Sequence, residues 1–292
     1  MSYDLFFTLP ADITKDDVAA YFRQRSHYRV DGNATYENTN TGVYFSFAFD
    51  DAEPTNGQSA GAQRRIAFNL NYFRPHIFGL EAEPEVSLFV NRFNPEIEDP
   101  QVQGMAAGPY SAEGFLRGWN CGNEVAYESI IESHSRTNNF LTMSEAVIEA
   151  AWRWNYEVPT MQAALGQSVF VPKIMMLNIE GEAKSSVVWG DGIPTLLPEV
   201  DIVFVYRDEL APKPLLGKRE KDHCLIVHSQ LDEVLEPLSN KGYPLPVRTP
   251  IYVEAPKSVS NFVRKLQKHT GALERVAMDR VLSRELFEKS PQ

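Results

Sequence analysis

Cysteine is scarce in this chain: 292 residues carry two, Cys121 and Cys224, far apart and in no CxxC pair. A multi-bridge disulfide framework of the kind that staples small secreted domains is excluded. Long apolar runs are missing too, and none approaches the ~20 residues that a membrane-spanning helix needs. The phosphate-cradling glycine loops GxGxxG and GxxxxGK[ST] are absent, and so are GxSxG and HExxH. Nucleotide binding through a glycine loop, nucleophile-elbow hydrolysis and zincin-type proteolysis therefore have no support. The six histidines are scattered, and only His223 and His228 lie close together. A zinc site there would need two further ligands brought in by folding. No metal and no cofactor is expected.

Positive charge is also in short supply. Lysine and arginine number 28 against 39 acidic residues, a net charge of −11. The balance is −7 over residues 1–100, −6 over 101–200 and +2 over 201–292. Nucleic-acid affinity comes mainly from counterion release at Lys and Arg contacts, so the first two thirds would repel a phosphate backbone. An acidic surface favours solubility and attracts basic partners. The expected partner is another protein, basic in character, with no nucleic acid and no membrane.

What is present is an ordinary globular composition, 43% hydrophobic and 23% charged. A chain of this length buries about 75% of its unfolded surface, so it needs no staple. It opens Met1-Ser2-Tyr3-Asp4-Leu5-Phe6-Phe7 with no basic segment, which reads as a strand that starts at once rather than a signal peptide. The cytoplasm, that of a bacterium by default, is the expected address.

Apolar periodicity gives the elements. Tyr3–Thr8 reads as a strand, and Thr14 with Asp17 as a capping box before a helix containing Val18, Tyr21 and Phe22. Residues 28–38 read as polar and turn-rich. Val43, Phe45, Phe47 and Phe49 alternate cleanly, as do Ile66, Phe68, Leu70 and Tyr72, which makes an antiparallel hairpin with an acidic tip. Pro84 opens a second helix. Proline and glycine cluster over 95–110. Two short helices follow, one with Phe115 and Leu116 and one over 123–132, and then a longer one over 146–156. After Ser168 the pattern returns to strands, with a final helix over 272–288.

The expected fold is α+β with two lobes, each an antiparallel or mixed sheet with helices packed on one face. Residues 1–95 form a β-α-β-β-β-α lobe and 96–110 a linker. Residues 111–292 form the second lobe, helical over 111–165 and then a sheet with helices over 168–292.

Three groups of residues carry possible chemistry. Cys121, in Trp119-Asn120-Cys121-Gly122-Asn123, precedes an expected helix, where the dipole would stabilise a thiolate. His228, at the end of a later strand, could serve as its base, oriented by Asp201 or Glu233, in a thiol-dependent hydrolase. The plain alternative for Cys121 is a small buried hydrophobe. Trp189 and Asp191 sit on a turn that could hold a partner, although Asp191-Gly192 is also ordinary hairpin chemistry. Asp50, Asp51 and Glu53 make the acidic tip a candidate docking point, joined by Glu81–Glu85 and Glu96–Asp99.

In general character (acidic, aromatic-rich, α+β, without a catalytic set) the chain resembles bacterial immunity proteins, which neutralise toxins. The resemblance is one of class and rests on no motif. It implies a protein-binding or inhibitor role, against the hydrolase reading of Cys121 and His228.

Overall fold

The computed structural model describes residues 1–50, 65–101, 103–105, 108–133, 140–213, 218–240 and 242–289. Asp51, Glu53 and the side chain of Asp50 lie outside them. The chain divides into two compact units, Met1–Phe140 with Leu282–Gln292, and Leu141–Val281. The class is α+β, as the periodicity requires.

In the first unit, six strands form one antiparallel sheet in the order β2-β3-β4-β5-β1-β6. They are β1 (Ser2–Thr8), β2 (Tyr28–Asp31), β3 (Asn33–Asn38), β4 (Val43–Asp50), β5 (Arg65–Asn71) and β6 (Glu96–Glu98). Period-two alternation sends Tyr3, Leu5 and Phe7 of β1 and Ile66, Phe68 and Leu70 of β5 to one buried face. Helices α1 (Lys15–Arg23), α2 (Ile77–Phe93) and α3 (Ala112–Ser133) pack on that face. Phe22 of α1 stacks on Phe89 of α2 at 5.7 Å, and Phe89 meets Phe7 at 5.1 Å. Phe115 of α3 meets Phe68 at 5.7 Å. Such ring pairs add about 0.5–1.5 kcal/mol each beyond their buried area. The opposite face is polar: Asn69 donates to Asp4 at 2.6 Å, and the Arg65 guanidinium covers the Phe6 ring at 4.0 Å. The capping box closes as its sequence directs, with Asp17 N–H donating to Thr14 Oγ1 at 3.1 Å and Thr14 N–H to Asp17 at 2.8 Å.

Several expectations are corrected. Residues 28–38 are a tight hairpin, not a polar loop, because Ala34, Tyr36 and Asn38 alternate into the core and Gly32 turns the chain at φ +72°. Pro84 lies inside α2, which begins seven residues earlier at Ile77. The stretch 96–110 is no free linker: β6 extends the sheet beside β1. Asp99 is buried beneath the Tyr3 hydroxyl, which donates to it at 3.1 Å. Segment 111–140 clusters with the first unit rather than the second.

The second unit holds a five-stranded sheet in the order β12-β11-β9-β8-β14. After β7 (Leu141–Met143) and α4 (Glu145–Leu165) come β8 (Met175–Ile179), β9 (Glu182–Gly190), β10 (Leu197–Pro198) and β11 (Ile202–Arg207). Then follow β12 (Asp222–Val227), β13 (Val247–Arg248), α5 (Lys257–Lys265) and β14 (Glu274–Val276). Pairing is antiparallel except between β9 and β11, which run parallel, so the sheet is mixed. Strands β10 and β13 pair separately. The expected helix over 272–288 is instead β14, a 3-10 turn and a short α6 (Arg284–Lys289), whose residues rejoin the first unit.

One buried arginine organises the edge of this sheet. Arg207, 1% exposed, grips Asp222 through two bonds of 2.7 and 2.8 Å. Its Nη1 donates to the carbonyls of Val263, Arg264 and Leu266 at 3.0–3.2 Å, which caps the C-terminus of α5.

Candidate functional site

The site begins on α4. Val147, Ala150 and Ala151 fall three and four residues apart, on one helical face. That face is fixed to the strand lead-in that follows. Asn155 Nδ2 donates to the Ile174 carbonyl at 2.8 Å, and Ile174 N–H returns a bond to Asn155 Oδ1 at 2.7 Å. Trp154 Nε1 donates to the Pro172 carbonyl at 2.7 Å. The small alanines leave room above Ile174.

The opposite wall is polar. Asp201 Oδ2 accepts from Ser185 N–H at 2.8 Å and from Ser185 Oγ at 2.7 Å, while Asp201 N–H donates back to Oγ at 3.0 Å. Glu199 N–H donates to the Pro246 carbonyl at 2.9 Å, which brings Leu245 alongside. Glu199 and Asp201 are exposed and Val200 between them is buried. Together these residues enclose a cleft of about 310 Å³. This is the low end of small-ligand sites, enough for one side chain or a short ligand and too small for a dinucleotide. Its floor is apolar and its rim carries two carboxylates.

Of the residues named from sequence, Asp201 lines the cleft and the others lie elsewhere. Cys121 stands halfway along the 22-residue helix α3, not at a helix start, because the two expected short helices are one. The thiol therefore lacks the terminal dipole that would activate it. It belongs to the first unit and His228 to the second. His228 is buried at the start of a 3-10 turn, and its Nε2 has no hydrogen-bond partner among the described residues. Burial, then the Arg248 guanidinium, push its pKa down to about 4, so it is neutral at pH 7. Asp201, considered as its orienting acid, is engaged by Ser185. Cys224 is fully buried, and burial raises its pKa.

Trp189 is fully buried rather than exposed, and its Nε1 donates to the Ile193 carbonyl at 3.0 Å. Asp191 holds a left-handed backbone, φ +45°, and accepts from the N–H groups of Asp208, Glu209 and Leu210 at 3.0–3.2 Å. These bonds make the turn a staple between two loops. Among the other acidic candidates, Glu81 is buried and accepts from Tyr36, Asn38 and Thr41 at 2.8–3.1 Å. Glu85 pairs with Arg25 at 2.7 Å. The cleft itself was missed from sequence, and its one signal was the acidic-apolar-acidic run Glu199-Val200-Asp201.

Among the described residues no cluster of His, Cys, Asp and Glu is placed to hold a metal ion. No helix among them is long and apolar enough to cross a membrane. Comparisons with protein families, curated proteins and solved structures give no match to the chain.

Proposed function

We propose that this chain is an acidic protein-binding protein that engages a basic protein partner, with an immunity or inhibitor protein of the bacterial cytoplasm as its most concrete form. One observation carries the reading: the acidity is concentrated on the first unit and is not neutralised there. That unit has 12 basic against 21 acidic residues, a net charge of −9, whereas the second has 16 against 18, a net charge of −2. Glu124, Glu128 and Glu132 repeat at four-residue spacing toward the C-terminus of α3, and none forms an ion pair among the described residues. Like charges at this spacing cost a few tenths of a kcal/mol per pair, and Glu132, in the last turn, also meets the negative end of the helix dipole. A cationic surface laid over the row would turn that cost into attraction. Glu81, Glu85 and Asp99 serve internal contacts and drop out of the contact set.

Capture from the native organism at low and high salt tests the proposal. The wild type should retain a basic partner in stoichiometric amount at low salt and release it at high salt. A Glu124→Lys, Glu128→Lys, Glu132→Lys variant with unchanged circular dichroism should associate at least about tenfold more slowly, since charges of this kind act mainly on the on-rate. Recovery of no partner at low salt, or equal retention by the variant, would overturn the reading.

A further inference from the structure

We infer that the cleft of the second unit seats a lysine side chain presented by the protein partner. This rests on the partner reading above and adds a second point of contact, in the other unit. The apolar floor of Val147, Ala150, Ala151, Ile174 and Leu245 suits a methylene stem, which long cationic side chains bury while holding the charge at the surface. The two carboxylates at the rim set the sign of that charge. Among the described residues no cation lines the cleft; Lys184, next to Ser185, is held by Glu182 at 2.7 Å. An anionic ligand would meet Glu199 and Asp201 head-on, and an uncharged apolar one would strip water from both without replacing it.

The geometry favours lysine over arginine. Asp201 Oδ2 is already occupied by both donors of Ser185, so this carboxylate has no free two-oxygen edge. A guanidinium draws its advantage from the bidentate fork, which this rim does not offer. A compact ammonium with three rotatable donors needs no such edge and suits contacts to single carboxylate oxygens.

The test is a ¹⁵N NMR titration of the full chain with four probes: acetyl-Gly-Lys-Gly-amide, its arginine and norleucine counterparts, and free n-pentylamine. The lysine peptide should shift the amides of Ala150, Ser185 and Val200. The norleucine and arginine peptides should bind at least about fivefold more weakly, the scale of one exposed charge contact. Glu199→Gln should weaken the lysine peptide by a similar factor, and Ala150→Leu, which fills the floor, should abolish its shifts. Glu199 has no side-chain bond to lose among the described residues, so the first variant stays informative where the second unfolds. Equal binding by the norleucine peptide, indifference to Glu199→Gln, or tighter binding of n-pentylamine than of the lysine peptide would overturn the assignment. The titration needs no native partner, so its failure is separate from a failed capture.

Discussion

At the residue scale, His228 shows how a side chain with a catalytic character in sequence becomes a cost borne by the fold. Its ring is 7% exposed and lies beside the permanent charge of Arg248, itself 3% exposed and bonded to Asp232. In the unfolded chain it titrates near its ordinary 6.5, and in the folded protein near about 4. Above pH 6.5 both states are neutral and the residue contributes nothing to pH dependence. Between 6.5 and 4 the unfolded chain takes up a proton that the folded protein refuses. Stability therefore falls as pH falls, by roughly 1.4 kcal/mol per pH unit at most, and the loss is complete below the folded value. Melting temperatures of wild type and His228→Gln, measured from pH 7 to pH 4, should diverge, with the wild type falling faster. Parallel curves would show that the ring titrates normally and is not held neutral by its surroundings.

At the scale of elements, alternation and capping were legible wherever a single face is buried. Residues 43–50 and 65–71 declare their strands because every second side chain enters one core, and Thr14 with Asp17 declares the start of α1 because both bonds are local. What failed was the reading of proline and glycine as punctuation. The two short helices expected around Phe115 and over 123–132 are one helix, and α3 runs through Gly118 and Gly122. They are the points where rings of β1 and the end of β5 reach the helix. A Cβ on Gly122 would lie 2.1 Å from the Tyr72 hydroxyl oxygen, and one on Gly118 would lie 2.8 Å from that of Tyr3. Tyr72 also stacks on Trp119 at 5.3 Å, one turn of helix away. Such contacts are set by tertiary packing, and no local pattern announces them. An exposed helical Gly→Ala change gains about 1 kcal/mol. Gly122→Ala should instead lower stability by about 1–3 kcal/mol, because the Tyr72 ring must move out of a close-packed core. Urea unfolding of the variant measures the sign, and a stabilised Gly122→Ala would mean that the ring and helix are not in contact.

At the scale of the whole molecule, the chain leaves the first unit at Phe140 and returns to it at Leu282. The closing residues are not a loose end. Leu282, 2% exposed, joins Tyr127 and Ile131 of α3 in a small core, with Phe73, Phe140, Leu286 and Phe287 packed around it. Phe140 meets Phe287 at 6.0 Å and Phe73 at 5.7 Å, so the rings bracket the exit and the return of the chain. Ser283 N–H donates to the Tyr127 hydroxyl at 3.2 Å, and that hydroxyl donates to the Arg74 carbonyl at 3.3 Å. Sequence alone hid this arrangement, because the segments that build the core are far apart in the chain and residues 282–288 carry the pattern of a long helix's end. Truncating Leu282 to alanine removes a side chain from a site with little freedom to collapse, a loss of about 2–5 kcal/mol. The effect should be read locally by hydrogen exchange, since openings propagate through contiguous packed units. Peptides covering 123–133 of α3 should exchange faster in Leu282→Ala, while those covering β9 and β11 should keep their wild-type rates. Unchanged exchange in α3, or equal acceleration in both sets, would mean that the returning segment does not close the first unit.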